Sequence, residues 1–73
     1  MKLQEARRQK GYTQEDMMNF LDCSLRHFQS IEKGHRFPSV VLALDICFIL
    51  GIDPFDVDEW KSKLRREKKD EPR

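Results

Sequence analysis

The sequence predicts an all-α domain, on three observations. Gly11, Gly34, Pro38, Gly51 and Pro54 cut the chain into short pieces, and glycine and proline are the residues that end helices. Thr13, Ser24, Ser39 and Asp53 stand where those pieces begin, and their side-chain oxygens suit the unpaired N–H groups of a first helical turn. No stretch alternates apolar and polar residues over the length a half-buried strand needs. With 73 residues the chain is one domain, and one this small buries only ~60% of its unfolded surface.

Five helices follow in order. The first spans about residues 2–10, with Leu3 and Ala6 inward and Gly11 as its stop. Thr13 caps the second, and "TQED" sets Asp16 three residues on, close to a capping box. That helix runs to about Phe20 or Leu21, and a turn at Leu21-Asp22-Cys23 follows. Ser24 caps the third, which runs to about Lys33 and stops at Gly34. Ser39 caps the fourth, about 40–50, whose core face reads Val40, Ala43, Leu44, Cys47 and Leu50. Asp53-Pro54 is a cap followed by proline at the first helical position, and it opens a fifth helix into "DEWKSKLRR" with Val57, Trp60 and Leu64 as its stripe. The domain then covers residues 1–66, and 67–73 form a charged, frayed tail.

Composition narrows the function classes. The net charge of +1 hides a segregation: residues 1–36 carry seven basic and five acidic side chains, 37–60 carry five acids and no base, and 61–73 carry seven bases and three acids. Basic ends around an acidic middle fit a chain whose ends face a polyanion; a solvated, charge-mixed surface fits equally. "MKLQEARRQK" is not a signal peptide, and no apolar run approaches a membrane span. Cys23 and Cys47 read as reduced thiols of a cytoplasmic protein, although one disulfide between them is conceivable. Cys23, His27, His35 and Cys47 fit no metal-ligand spacing. There is no nucleophile–base–acid set and no glycine-rich phosphate loop, so no enzyme, no cofactor and no small-molecule ligand is expected.

The third helix carries the most specific signal. At 100° per residue, Phe28 and Ile31 point one way, Arg26, Gln29 and Ser30 almost oppositely, and Leu25 and His27 lie on the flanks. The outward face therefore holds three hydrogen-bond donors and no acid. A helix preceding it across a short turn makes a helix-turn-helix unit, whose second helix fits the major groove of DNA. Arginine suits the two acceptors of guanine, glutamine the donor–acceptor pair of adenine, and serine either base; Leu25 suits a thymine methyl. An ordinary solvated helix face is the plain alternative.

On "ARRQKGYTQED", "LDCSLRHFQSIEKGHRFPS" and "LALDICFILGIDPFDV", the chain resembles the lambda-repressor/Cro-like (XRE-type) helix-turn-helix DNA-binding family. The likeness runs without a gap from about Leu3 to Val57, through Arg7, Gly11, Gln14, Leu21, Ser24, Phe28, Ile31, Glu32, Gly34, Pro38, Leu50 and Gly51. It implies a compact five-helix lambda-repressor-like domain. It also implies base contacts at Leu25, Arg26, Gln29 and Ser30, and backbone contacts at Thr13, Gln14, Ser24, His27, His35 and Arg36. Gln14 would in addition brace the recognition helix, and Arg7 and Glu32 would form a structural salt bridge between the first and third helices. Two residues depart from the family pattern. Met18 stands where alanine is preferred, and should push the second and third helices apart. Asp22 replaces a turn glycine; aspartate tolerates the left-handed conformation that glycine serves there.

The fourth helix, "VVLALDICFIL", is apolar nearly all round. Val41, Phe48 and Phe55 are apolar where the family is usually polar. With Ile52 and Trp60 they form the expected dimer interface, about a two-fold axis that sets two recognition helices on a palindromic site. The alternative is that the fifth helix folds back over this patch within one chain. The resulting expectation is a small sequence-specific transcriptional regulator, a homodimer on double-stranded DNA. The competing one is a protein-interaction module on the same fold, an anti-repressor or assembly partner.

Overall fold

The computed structural model describes residues 1–61. Among them the chain is all-helical: α1 is Leu3–Gln9, α2 Gln14–Met18, α3 Leu25–Glu32 and α4 Val40–Leu50, followed by a single 3-10 turn at Pro54–Asp56. The expected tail at 67–73, and the expected fifth helix beyond Lys61 with Leu64, lie outside the described residues.

Each start is made by the residue the sequence offers for it. Thr13 Oγ1 accepts from the Asp16 N–H at 3.0 Å while Asp16 returns an oxygen to the Thr13 N–H at 2.9 Å, so the box closes with aspartate in the glutamate position. Ser24 Oγ accepts from His27 N–H, Ser39 Oγ from Leu42 N–H and Asp53 Oδ1 from Phe55 N–H. The first turn of α1 is held from a distance: Glu59 Oε1 accepts from Leu3 N–H at 2.9 Å.

The stops share one geometry. At the end of α3, Gly34 adopts φ +79°, its N–H bonds the Ile31 carbonyl and the His35 N–H bonds the Ser30 carbonyl, each at 3.0 Å. That is a Schellman closure, which needs a left-handed residue and so favours glycine. It brings His35 and Arg36 back beside the helix they leave, with both N–H groups on the Ser30 carbonyl. The same pair of bonds closes α1 at Gly11 and α4 at Gly51.

The core gathers Leu3 and Ala6 of α1, Met17 of α2, Leu21 of the turn between α2 and α3, Phe28 and Ile31 of α3, Ala43, Ile46, Cys47 and Leu50 of α4, and Val57 and Trp60. Fully burying a side chain of this size stabilises by ~1.5–3 kcal/mol. Both cysteines are free, and Cys47 is buried in the core.

Four sequence expectations are corrected. The inward face of α4 is Ala43, Ile46, Cys47 and Leu50; Val40 and Leu44 are 66% and 53% exposed. An almost wholly apolar helix gives hydrophobic periodicity no phase, so the face is set by what packs on it. Trp60 is only 1% exposed and therefore belongs to the core, not to a dimer surface. Its indole N–H donates to the Pro54 carbonyl at 2.7 Å, which folds the chain back on itself. For the same reason Pro54 opens a short 3-10 turn and not a continuous fifth helix: Val57 is extended, with ψ 116°, and a tight turn follows at 58–60. Finally, the turn into α3 contains no left-handed residue, since only glycines have positive φ among the described residues. Asp22 sits in ordinary backbone, and Leu21 N–H still reaches the Met17 carbonyl at 3.0 Å, carrying the turning chain past Met18. Met17 fills the core while Met18 packs half-buried at its edge, so the larger side chain is accommodated at the margin.

Candidate functional site

The candidate site begins with an ion pair beneath it. Arg7 of α1 and Glu32 at the end of α3 meet with Arg7 Nε 2.6 Å from Glu32 Oε2, and both side chains are nearly buried, 7% and 4% exposed. Arg7 Nη2 reaches Glu32 Oε1 at 3.4 Å and Nη1 donates to the Tyr12 carbonyl at 2.8 Å. A buried charge is tolerated only when paired and hydrogen-bonded, and here the guanidinium has three acceptors. This is the pair the family resemblance implies.

Gln14, the first residue of α2, extends the pair to the protein surface. Its side-chain N–H donates to Glu32 Oε1 at 2.8 Å, and its oxygen accepts from Gln29 Nε2 at 3.1 Å. One continuous chain of bonds therefore runs Arg7–Glu32–Gln14–Gln29, from the core to the outer half of α3. Gln14 thus hydrogen-bonds two residues of α3, Glu32 and Gln29. Gln29 keeps its amide oxygen and one N–H for a ligand, with the amide plane held by Gln14.

On the outside of α3, Ser24, Arg26, His27 and Ser30 line an open concavity of about 240 Å³ together with Arg36 from the loop after Gly34. Two guanidinium groups, an imidazole and two hydroxyls thus converge, and among the described residues no acid lines the space. The Arg36 N–H also bonds the Ser30 carbonyl at 3.3 Å, which fixes the loop against the helix. Ser24 uses a hydroxyl lone pair as the cap of α3, leaving its O–H free to donate outward.

The remaining sequence-predicted residues fall around this centre. Leu25 is half-buried on the flank of α3, Thr13 is exposed at the start of α2, and His35 is exposed in the loop but does not line the concavity. Val41 and Phe48 are 70% and 88% exposed on α4, Ile52 is half-buried and Phe55 exposed. Sequence reasoning missed Phe37, Val40 and Leu44, which are also exposed. It also missed the tie between Gln14 and Gln29, for which fifteen residues of separation leave no periodic signal.

Cys23, beside the start of α3, has its thiol pKa raised first by burial and then by the Asp22 carboxylate. Burial, with Asp53 second, pushes the Cys47 thiol up to about 11. Neither thiol is poised as a nucleophile.

Compared with protein-family models, curated proteins and solved structures, the chain matches none.

Proposed function

We propose that the chain is a small sequence-specific DNA-binding transcriptional regulator on a helix-turn-helix fold. It binds a palindromic operator as a homodimer, with α3 in the major groove. The observation that carries this reading is the concavity in which Ser24, Arg26, His27, Ser30 and Arg36 converge, with no acid among the described residues that line it. A helix face that gathers guanidinium and hydroxyl donors matches both phosphate oxygens and base edges. Arg26 is the guanine reader, exposed at the middle of that face. Gln29, held by Gln14, reads adenine with its oxygen and remaining N–H. Arg36, with Thr13 and His35 at the periphery, contacts the backbone and sets the register. The Arg7–Glu32–Gln14 chain of bonds holds α2 and α3 as one rigid reader. Such a protein works where the DNA is, in the cytoplasm.

The salt dependence of binding to short duplexes tests the reading. Log affinity should fall linearly with log salt, by ~0.9 for each phosphate neutralised. Arg36→Ala should flatten that slope by about one per subunit, and Arg26→Ala should also relax sequence preference. An affinity indifferent to salt would favour the second reading, a protein-interaction module. The exposed apolar side of α4, with Phe48 at 88% exposure, is the observation in its favour.

A further inference from the structure

The exposed side of α4 carries both a ridge and a hollow. Val40, Leu44 and Phe48 recur every four residues and so lie along one stripe, with Val41 beside it. At one end of the stripe, Phe37, Val40, Ala43, Leu44, Pro54 and Phe55 line a wholly apolar groove of about 220 Å³. A cavity of ~150 Å³ already holds a benzene ring, so the groove has room for one large apolar side chain. The exposed parts of Phe37, Val40, Val41, Leu44 and Phe48 sum to on the order of 500 Å², at ~150–200 Å² per side chain. An apolar patch of that size on so small a protein marks an interaction site.

The border of this surface is acidic. Asp45 is exposed, four residues after Val41 and three before Phe48, and therefore beside both. Asp53 and Asp56 are exposed on either side of Pro54 and Phe55, at the groove. Among the described residues no base pairs with Asp45, Asp53 or Asp56, and residues 37–60 hold no lysine or arginine.

We propose that this face takes an amphipathic α-helix of another protein, apolar along one side and flanked there by lysine or arginine. One apolar anchor fills the groove, others pack along Leu44 and Phe48, and the basic flanks meet Asp45, Asp53 and Asp56. Complementary charge at the rim of an apolar interface selects the partner and speeds its encounter. A helix fits because the stripe from Val40 to Phe48 is a straight ridge ~12 Å long, at 1.5 Å per residue, which suits the regularly spaced anchors of a second helix. An extended peptide would need a sheet edge, and the described residues hold no strand. The proposal deepens the interaction-module reading and rests on it; its residues lie apart from the α3 concavity. The face holds one occupant at a time, so the partner helix and a second copy of the chain compete for it.

A fluorescein-labelled peptide of leucine and lysine, ~16 residues long with leucine at i, i+3, i+4 and i+7, tests this by anisotropy on the full chain. A leucine–glutamate peptide of the same pattern is its charge control. We expect saturable binding of the lysine peptide, ~10-fold tighter than the glutamate one. Phe48→Ser should weaken it by on the order of 10-fold with unchanged helical circular dichroism, because the ring is solvent-exposed. Asp45→Lys with Asp56→Lys should reverse the preference between the peptides. Glu15→Gln, at an exposed acid of α2, and Arg26→Ala should each leave binding unchanged. Equal binding of both peptides, lost together in Phe48→Ser, would keep the interaction module and overturn the basic partner. Binding of neither would remove module and partner together, and binding untouched by Phe48→Ser would overturn the placement on α4. Sedimentation of the chain with peptide should show only complexes that contain peptide. A two-chain species that excludes it would give the face to a second copy and overturn the proposal.

Discussion

Replacing Glu32 with alanine should come close to unfolding the domain. The substitution removes both oxygens that Arg7 Nε and Nη2 meet at 2.6 and 3.4 Å, and the acceptor of Gln14 at 2.8 Å. Arg7 stays behind with its side chain 7% exposed, where water cannot replace the lost partner. Stranding one charge of a buried pair costs ~3–5 kcal/mol. At ~0.05–0.15 kcal/mol per residue a domain of this length holds only ~4–11 kcal/mol in all. A loss of ~3 kcal/mol corresponds to ~12–24 °C in Tm. Urea unfolding followed by circular dichroism measures the effect, and the midpoint should fall while the slope stays fixed. The reasoning also makes a second demand. The double variant Arg7→Met with Glu32→Leu removes both charges and should recover most of the loss, because apolar pairs of similar volume often match or exceed a buried ion pair. A Glu32→Ala variant within ~1 kcal/mol of wild type, or a double variant no more stable than the single, would refute the account of this pair as a coupled, desolvated unit.

Two further outcomes follow from the same geometry. Gln14→Ala deletes two side-chain hydrogen bonds and should cost ~1–2 kcal/mol in thermal unfolding, while DNA selectivity at the position read by Gln29 broadens, measured by competition between duplexes. For Cys47 the sign of the linkage is fixed by a thiol pKa raised to about 11 in the folded protein. The unfolded thiol ionises first, so stability should fall as pH rises from the ordinary thiol range towards 11. Comparing Cys47→Ala with wild type across that window isolates the contribution. The same burial should make Cys47 slow to alkylate until the protein unfolds, while half-buried Cys23 reacts sooner.

The sequence was most legible where one residue type has one physical use. Thr13, Ser24, Ser39 and Asp53 all accept the N–H groups they were expected to cap, and all three glycines take the left-handed conformation. Phe28 and Ile31, fixed by helical period, are both fully buried. The pairing of Arg7 with Glu32 came from the family resemblance and not from spacing. Legibility failed where tertiary packing chooses among equivalent residues. On α4, Leu44 and Ile46 are equally apolar, and only the neighbours decide that Ile46 is buried and Leu44 exposed. Trp60 was placed on a surface because a helical stripe through Val57 and Leu64 was expected. The structure instead buries both Val57 and Trp60 in the core, and the Trp60–Pro54 hydrogen bond is a contact no local pattern encodes. The concavity on α3 was visible residue by residue, whereas the convergence of Arg36 with it depends on the Gly34 closure.

The most direct test of the central claim is selection from a random duplex pool at ~150 mM salt, where non-specific binding is weak, with Arg26→Ala run in parallel. The account predicts enrichment of a palindrome with half-sites about one helical turn apart, weakened or relaxed at one position per half-site by Arg26→Ala. A folded protein that enriches no sequence would contradict it, and the face of α4 would then be the place to look for what this chain does.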